Sequence, residues 1–184
     1  MRGLVAAFGV LTLAACGSSP VLLEKSDFTG VQAEQQNEEA YAPGWTWCDA
    51  LRPSFYIDGG AVSSSLTFGD RERAAATIID GSTDDLPADY MLEQYEAQAD
   101  SCARSDATTR GYSIEPLGGL AEGEVGWTTR TSDGEWGEYV LIPLDEWRLL
   151  AVGFSTSEDE PPVEMDRLVE LARQGAEQFP SDRG

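Results

Sequence analysis

The side chains able to do chemistry in this sequence are acids, hydroxyls, indoles and three thiols; histidine is absent. That absence removes the side chain that most often exchanges protons near neutral pH. With it go every Ser-His-Asp or Cys-His arrangement and every imidazole metal ligand. A serine–lysine pair would have only Lys25 to draw on. No Gly-x-Ser-x-Gly, phosphate-binding loop or Gly-x-Gly-x-x-Gly occurs, and Gly118-Gly119-Leu120-Ala121-Glu122-Gly123 reads as a glycine-rich turn. What remains for catalysis is a pair of carboxylates with one pKa raised, the device of glycoside hydrolysis. With 33 acids in 184 residues such pairs arise by chance. The sequence therefore predicts no catalytic residue and no cofactor. The runs Asp84-Asp85 and Glu158-Asp159-Glu160 lack the alternating oxygen ligands of a calcium loop. They read as a helix cap and a solvated loop, and no metal site is predicted.

Five tryptophans are the remaining candidates for a ligand site: Trp45, Trp47, Trp127, Trp136 and Trp147. They could line a groove for a sugar or a lipid chain, or simply supply buried area to the core. Charge narrows the partners. With 12 basic and 33 acidic residues the net charge is −21 at pH 7. Such a field repels polyanions, so neither nucleic acid nor anionic lipid head groups are expected to bind through any broad surface. A cationic ligand fits the field, and so does plain colloidal solubility.

These residues need elements to hold them. Residues 32–44 carry no sustained apolar period and read as an exposed polar loop. Residues 61–68 and 74–80 are short strand candidates around a charged turn. Ala88, Met91, Leu92, Tyr95, Ala99 and Cys102 fall on one helical face, with Pro87 at its start. Residues 112–117, 124–131, 136–142 and 146–154 follow as strands. Ser132-Asp133-Gly134-Glu135 is a hairpin turn, read as having both central positions at positive φ. A second helix opens near Pro161-Pro162, buries Met165, Leu168, Val169, Ala172, Ala176 and Phe179, and ends at Pro180. The predicted fold is α+β: an antiparallel sheet of about six strands with two amphipathic helices against one face. Tyr139 and Leu141 alternate with Val140 and Ile142, however, and a strand apolar on both faces is covered on both or lies at the centre of the sheet.

The chain start is not part of that fold. Arg2 and the amino terminus precede a twelve-residue apolar run, Leu4–Ala15, too short for a bilayer that takes about 20 helical residues. It suits a secretory signal. Leu13-Ala14-Ala15-Cys16 resembles the lipobox of bacterial lipoproteins. That resemblance implies cleavage before Cys16 and acylation of its thiol, with residues 1–15 as signal peptide, 16–20 as lipidated cysteine and tether, 21–180 as one extracytoplasmic domain and 181–184 as tail. Two acyl chains would hold the protein at the outer face of the cell membrane, at roughly 0.8 kcal/mol per buried CH₂. The mature chain would lose Arg2 and no acid, leaving 11 basic against 33 acidic residues, net −22. Cys48 and Cys102 would then be the two thiols left in an oxidising compartment, either joined in a disulfide or buried separately.

From Leu22 to Phe179 the order of features is similar to that of secreted actinobacterial lipoproteins and receptor-kinase ectodomains of the sensor-domain-like type. The matching pieces are Leu22-Leu23, Asp27-Phe28-Thr29-Gly30, Trp47-Cys48, a strand ending at Asp80, a helix closing on Cys102, and Leu117-Gly118-Gly119-Leu120 ahead of a tryptophan-bearing strand. The resemblance implies a helix cysteine joined to an earlier one, and binding or sensing of an envelope ligand. It supplies no catalytic residue. The alternatives are an accessory lipoprotein that acts through an envelope protein and, third, a carboxylate-based hydrolase.

Overall fold

The computed structural model describes residues 20–37, 62–104 and 111–181. Among these, seven strands form one antiparallel sheet: β1 (Ala33–Asn37), β2 (Val62–Thr67), β3 (Arg73–Asp80), β4 (Tyr112–Pro116), β5 (Val125–Thr131), β6 (Trp136–Pro143) and β7 (Arg148–Thr156). Their order across the sheet is β1-β2-β3-β7-β6-β5-β4. Helix α1 (Ala88–Arg104) carries the chain from β3, near the centre, to β4 at the far edge. The β4–β7 meander then returns inward until β7 pairs with β3. Helix α2 (Met165–Ala176) follows β7. The fold is thus α+β with two helices. No helix of the described residues is long and apolar enough to cross a membrane.

The two helices lie on opposite faces, not on one as first expected. Tyr139, Leu141, Leu149 and Ala151 pack with Met91, Tyr95, Ala99 and Cys102 of α1. Their strand neighbours Val140, Ile142, Leu150 and Val152 pack with Leu168, Leu171, Ala172 and Ala176 of α2. Strand side chains alternate with period two, so two apolar sets on adjacent strands require two covers. Burying each of these leucines or isoleucines contributes roughly 1.5–3 kcal/mol, and exposing one whole face would forfeit several such increments. The alternation within 139–142 therefore outweighs the simpler one-sided arrangement.

The seventh strand, β1, lies inside the segment read from sequence as polar loop. Its residues Ala33-Glu34-Gln35-Gln36-Asn37 pair with β2 in the register Ala33↔Thr67 to Asn37↔Ser63. An edge strand is held through its backbone, and charged or polar side chains protect its open edge. Such a strand shows no hydrophobic period. The β5–β6 turn also differs in detail. Gly134 has φ +92°, whereas Asp85 is the only described non-glycine residue at positive φ. The Thr131 N–H donates to the Glu135 carbonyl at 2.8 Å and the Gly134 N–H to the Thr131 carbonyl at 3.2 Å. Three residues close the hairpin, with glycine alone in the left-handed region. Helix α2 begins at Met165 after the cap residue Glu164, later than Pro161-Pro162.

The chain enters this framework at Val21. Leu22 and Leu23 are buried, and the Leu22 N–H donates to Ser64 Oγ at 3.2 Å. Gly175 of α2 lies directly against the Leu22 backbone, where a β-carbon would sit 2.7 Å from Leu22 Cα. At the same end of the sheet, Asp145 accepts from the N–H groups of Trp147 (2.9 Å) and Arg148 (3.0 Å) and from Arg148 Nε (2.7 Å). Burial alone would raise the Asp145 pKa, but these bonds and the guanidinium hold it below the ordinary range. Arg148 reaches on to the Phe179 carbonyl and ties the β6–β7 turn to the end of α2.

Candidate functional site

The three described tryptophans do not share a groove. Trp127 is 6% exposed and belongs to the core under α1. Trp136 lies on the α2 face: it stands opposite Arg130, three residues from Trp127 on β5. Trp147 is half-buried in the β6–β7 turn, where its carbonyl accepts from the Gly81 N–H. Trp45, Trp47 and Cys48 lie outside the described residues, as does Cys16. Cys102 is fully buried on the sheet-facing side of α1. Periodicity told which strand each tryptophan occupies; register, which decides the face, was not legible before the strands were paired.

What the register does bring together is a polar area on the α2 face of β4, β5 and β6. Glu115, Thr128 and Glu138 form one cross-strand row, and Ser113, Arg130 and Trp136 the next. Helix α2 lies over β7 and β3, so it leaves these rows open. The nearer half of the same face is covered by the 117–124 loop. Leu120 packs over Gly126, and Glu124 pairs with Arg173 of α2. The 157–164 loop bounds the far side. Trp136 Nε1 donates to the Glu158 carbonyl at 2.7 Å, and the Glu158 N–H donates to Thr156 Oγ1 at 3.0 Å.

Two groups in this area have unusual surroundings. The Trp136 ring meets Phe154 edge-on at 5.2 Å and carries the Arg130 guanidinium 5.6 Å from its centroid. The indole face thus already holds a cation. Glu138 is half-buried, and among the described residues no hydrogen bond or salt bridge reaches its carboxylate. Burial pushes its pKa up, and the negative charges of Glu164 and Asp166, at the start of α2, push the same way.

No protein-family model matches the chain, and no curated protein matches it. The site therefore rests on its own geometry. Among the described residues no group of three carboxylates or thiols converges as a metal site would require. The cleft of about 200 Å³ lined by Val21, Leu22, Glu24, Asp27, Leu171, Gln174, Gly175 and Gln178 lies at the other end of α2. Trp136 was among the ligand candidates only as one of five tryptophans, a large number for a chain of this size. Glu138 was not, because one acid among 33 carries no mark until its neighbours are known.

In the unfolded chain Glu138 titrates near its ordinary value; in the fold it titrates higher. Its contribution to stability is fully present below the unfolded pKa and lost as pH rises through the folded one. Glu138→Gln should therefore raise the melting temperature at about pH 7, where the parent carries the buried charge, and lose that advantage near about pH 4. Thermal melts of both proteins across that range test it. A glutamine variant less stable than the parent at neutral pH would mean that the carboxylate has a favourable partner in the fold.

Proposed function

We propose that the protein is a lipid-anchored, extracytoplasmic binding or sensing module of the cell envelope, without catalytic activity, that takes ligands carrying a positively charged or hydrogen-donating group. The observation that carries the ligand class is Glu138: a half-buried carboxylate without a partner among the described residues, next to an indole whose face already accepts a guanidinium. A cationic group placed there would relieve the like-charge contact with Glu164 and Asp166, and the net charge of −21 would favour its approach. Native mass spectrometry of protein taken from its own host, beside a Trp136→Ala variant, tests the reading. A co-purifying ligand lost in the variant supports it; one retained at full occupancy by the variant removes this site.

The anchor has its own test. Leu13-Ala14-Ala15-Cys16 supports acylation of Cys16, and two acyl chains bind a bilayer far more tightly than one. Cys16→Ala should move the protein out of the detergent phase, or leave it unprocessed. A variant that is processed and partitions like the parent would mean that the cysteine is not the anchor.

A further inference from the structure

We infer that the Trp136–Glu138 area takes a small zwitterion, an α-amino acid or a dipeptide, with its ammonium group on Glu138 and its carboxylate on Arg130. The inference rests on the reading of Glu138 as the acceptor of a cationic group, and adds the second charge of the same ligand. It begins with two opposite charges that share one open face and do not meet. The Thr131 N–H bonds the Glu135 carbonyl at 2.8 Å, so Arg130–Trp136 and Thr128–Glu138 are the close, non-hydrogen-bonded pairs of β5 and β6. Arg130 and Glu138 are diagonal neighbours across these pairs, at about 7–8 Å between backbones.

Side chains of that length can reach each other at such a separation, yet the two do not pair. The Arg130 guanidinium lies over Trp136 instead, 5.6 Å from the ring centroid. The ring has little freedom to follow it elsewhere. Its Nε1 donates to the Glu158 carbonyl at 2.7 Å, and Phe154 meets it edge-on at 5.2 Å. The indole thus holds the positive charge aside from Glu138. Neither charged group has an ionic or hydrogen-bonding partner among the described residues. A cation–π contact uses the charge of a guanidinium and not its N–H donors, so these remain available to an anionic oxygen.

The neighbours divide between the two ends. Ser113 stands across β4–β5 from Arg130 and offers a hydroxyl to the same anion. Thr128 stands across from Glu138, with the exposed Glu115 beyond it, and both can accept from an ammonium group. A ligand with a single charge is opposed at this site. A plain cation on Glu138 would lie beside the Arg130 charge, and a plain anion on Arg130 would lie beside Glu138 and Glu115. A zwitterion meets an opposite charge at each end. One guanidinium with one hydroxyl suits the two oxygens of a carboxylate, and a net charge of −21 disfavours the second charge of a phosphate. Trp136, half-buried beside both groups, offers apolar surface to the ligand's carbon atoms.

Isothermal titration of the full chain, purified from its host in detergent, tests the assignment. The probes are the standard L-amino acids and their homodipeptides, the α-carboxamides, which keep only the positive charge, and the N-acetyl forms, which keep only the negative one. An amino acid or dipeptide should bind, and its carboxamide and N-acetyl form should each bind at least about tenfold more weakly, the loss of one charge-assisted contact. Arg130→Gln should weaken the zwitterion about tenfold and leave the carboxamide unchanged. Glu138→Gln should weaken the zwitterion and the carboxamide alike and leave the N-acetyl form unchanged. A general disturbance of the sheet would not divide in this way. A dipeptide that binds more tightly than its amino acid assigns the site to peptide ends; the reverse assigns it to free amino acids. A carboxamide that binds as tightly as its parent, or an Arg130→Gln variant that keeps full affinity for the zwitterion, overturns the inference and leaves the cationic site standing. Binding by no zwitterion at millimolar concentration also overturns it, and silence from the carboxamides as well removes the cationic reading with it.

Discussion

Replacing Cys102 by alanine should cost as much as about 4 kcal/mol of stability, and replacing Cys48 should cost the same, because the expected Cys48–Cys102 disulfide closes a loop of 55 residues counting both ends. The figure comes from the chain entropy removed from the unfolded state, and strain or residual unfolded structure lowers it. Domains commonly hold about 5–15 kcal/mol in total, so such a loss would be large. What the fold contributes is the setting of one partner. Cys102 is fully buried on the α1 face that packs against Tyr112, Ile114 and Trp127. Its sulfur therefore sits in the core and not on the helix surface. Two separate buried thiols would behave differently, since each would act as a small apolar side chain and its loss would cost its own packing. The double variant distinguishes the two cases. With a disulfide, Cys48→Ala, Cys102→Ala and the pair together cost the same in denaturant melts. With separate thiols the two losses add. Labelling of two free thiols in denatured, unreduced protein from its native compartment would sink the disulfide at once.

The sequence shows elements whose signal is a side-chain period and hides those built from backbone or register. Helix α1 was legible because Ala88, Met91, Tyr95, Ala99 and Cys102 are all buried at helical spacing. The strands β2 to β7 were legible within a residue or two for the same reason, their apolar runs being broken by turn residues. Strand β1 was hidden because an edge strand of Glu and Gln has nothing to bury. The distribution of the helices was partly visible: Tyr139 to Ile142 demanded two covers, while the simplest α+β layout offered one. The candidate site was hidden more deeply. Glu138 and Trp136 alternate with buried neighbours on β6, but Arg130 and Thr128 reach them only through the β5 register, and Glu164 and Asp166 only through the path of α2. Periodicity is local, and a site assembled from three elements is not.

Gly175→Ala should destabilise the domain by roughly 1–3 kcal/mol, the usual cost of forcing extra volume into a packed site. The added β-carbon would meet the carbonyl oxygen of Leu22 and come within 2.7 Å of its carbonyl carbon and Cα. These are backbone atoms, so no flexible side-chain end can swing away. The structure has two responses, and magnitudes choose between them. Peeling the amino-terminal segment off would expose Leu22 and Leu23, at up to roughly 1.5–3 kcal/mol each, and would leave the buried Ser64 hydroxyl without the Leu22 N–H. That exceeds the strain of a single methyl, so the alanine variant should keep the segment docked with α2 slightly displaced. A leucine at the same position overfills the site beyond any small shift, and the balance reverses: the segment should detach. Amide exchange at Leu22 and Leu23 and proteolysis at Lys25 follow the change, slow in the parent and in Gly175→Ala, fast in Gly175→Leu. An alanine variant as stable as the parent would mean that the close approach is not part of the fold in solution.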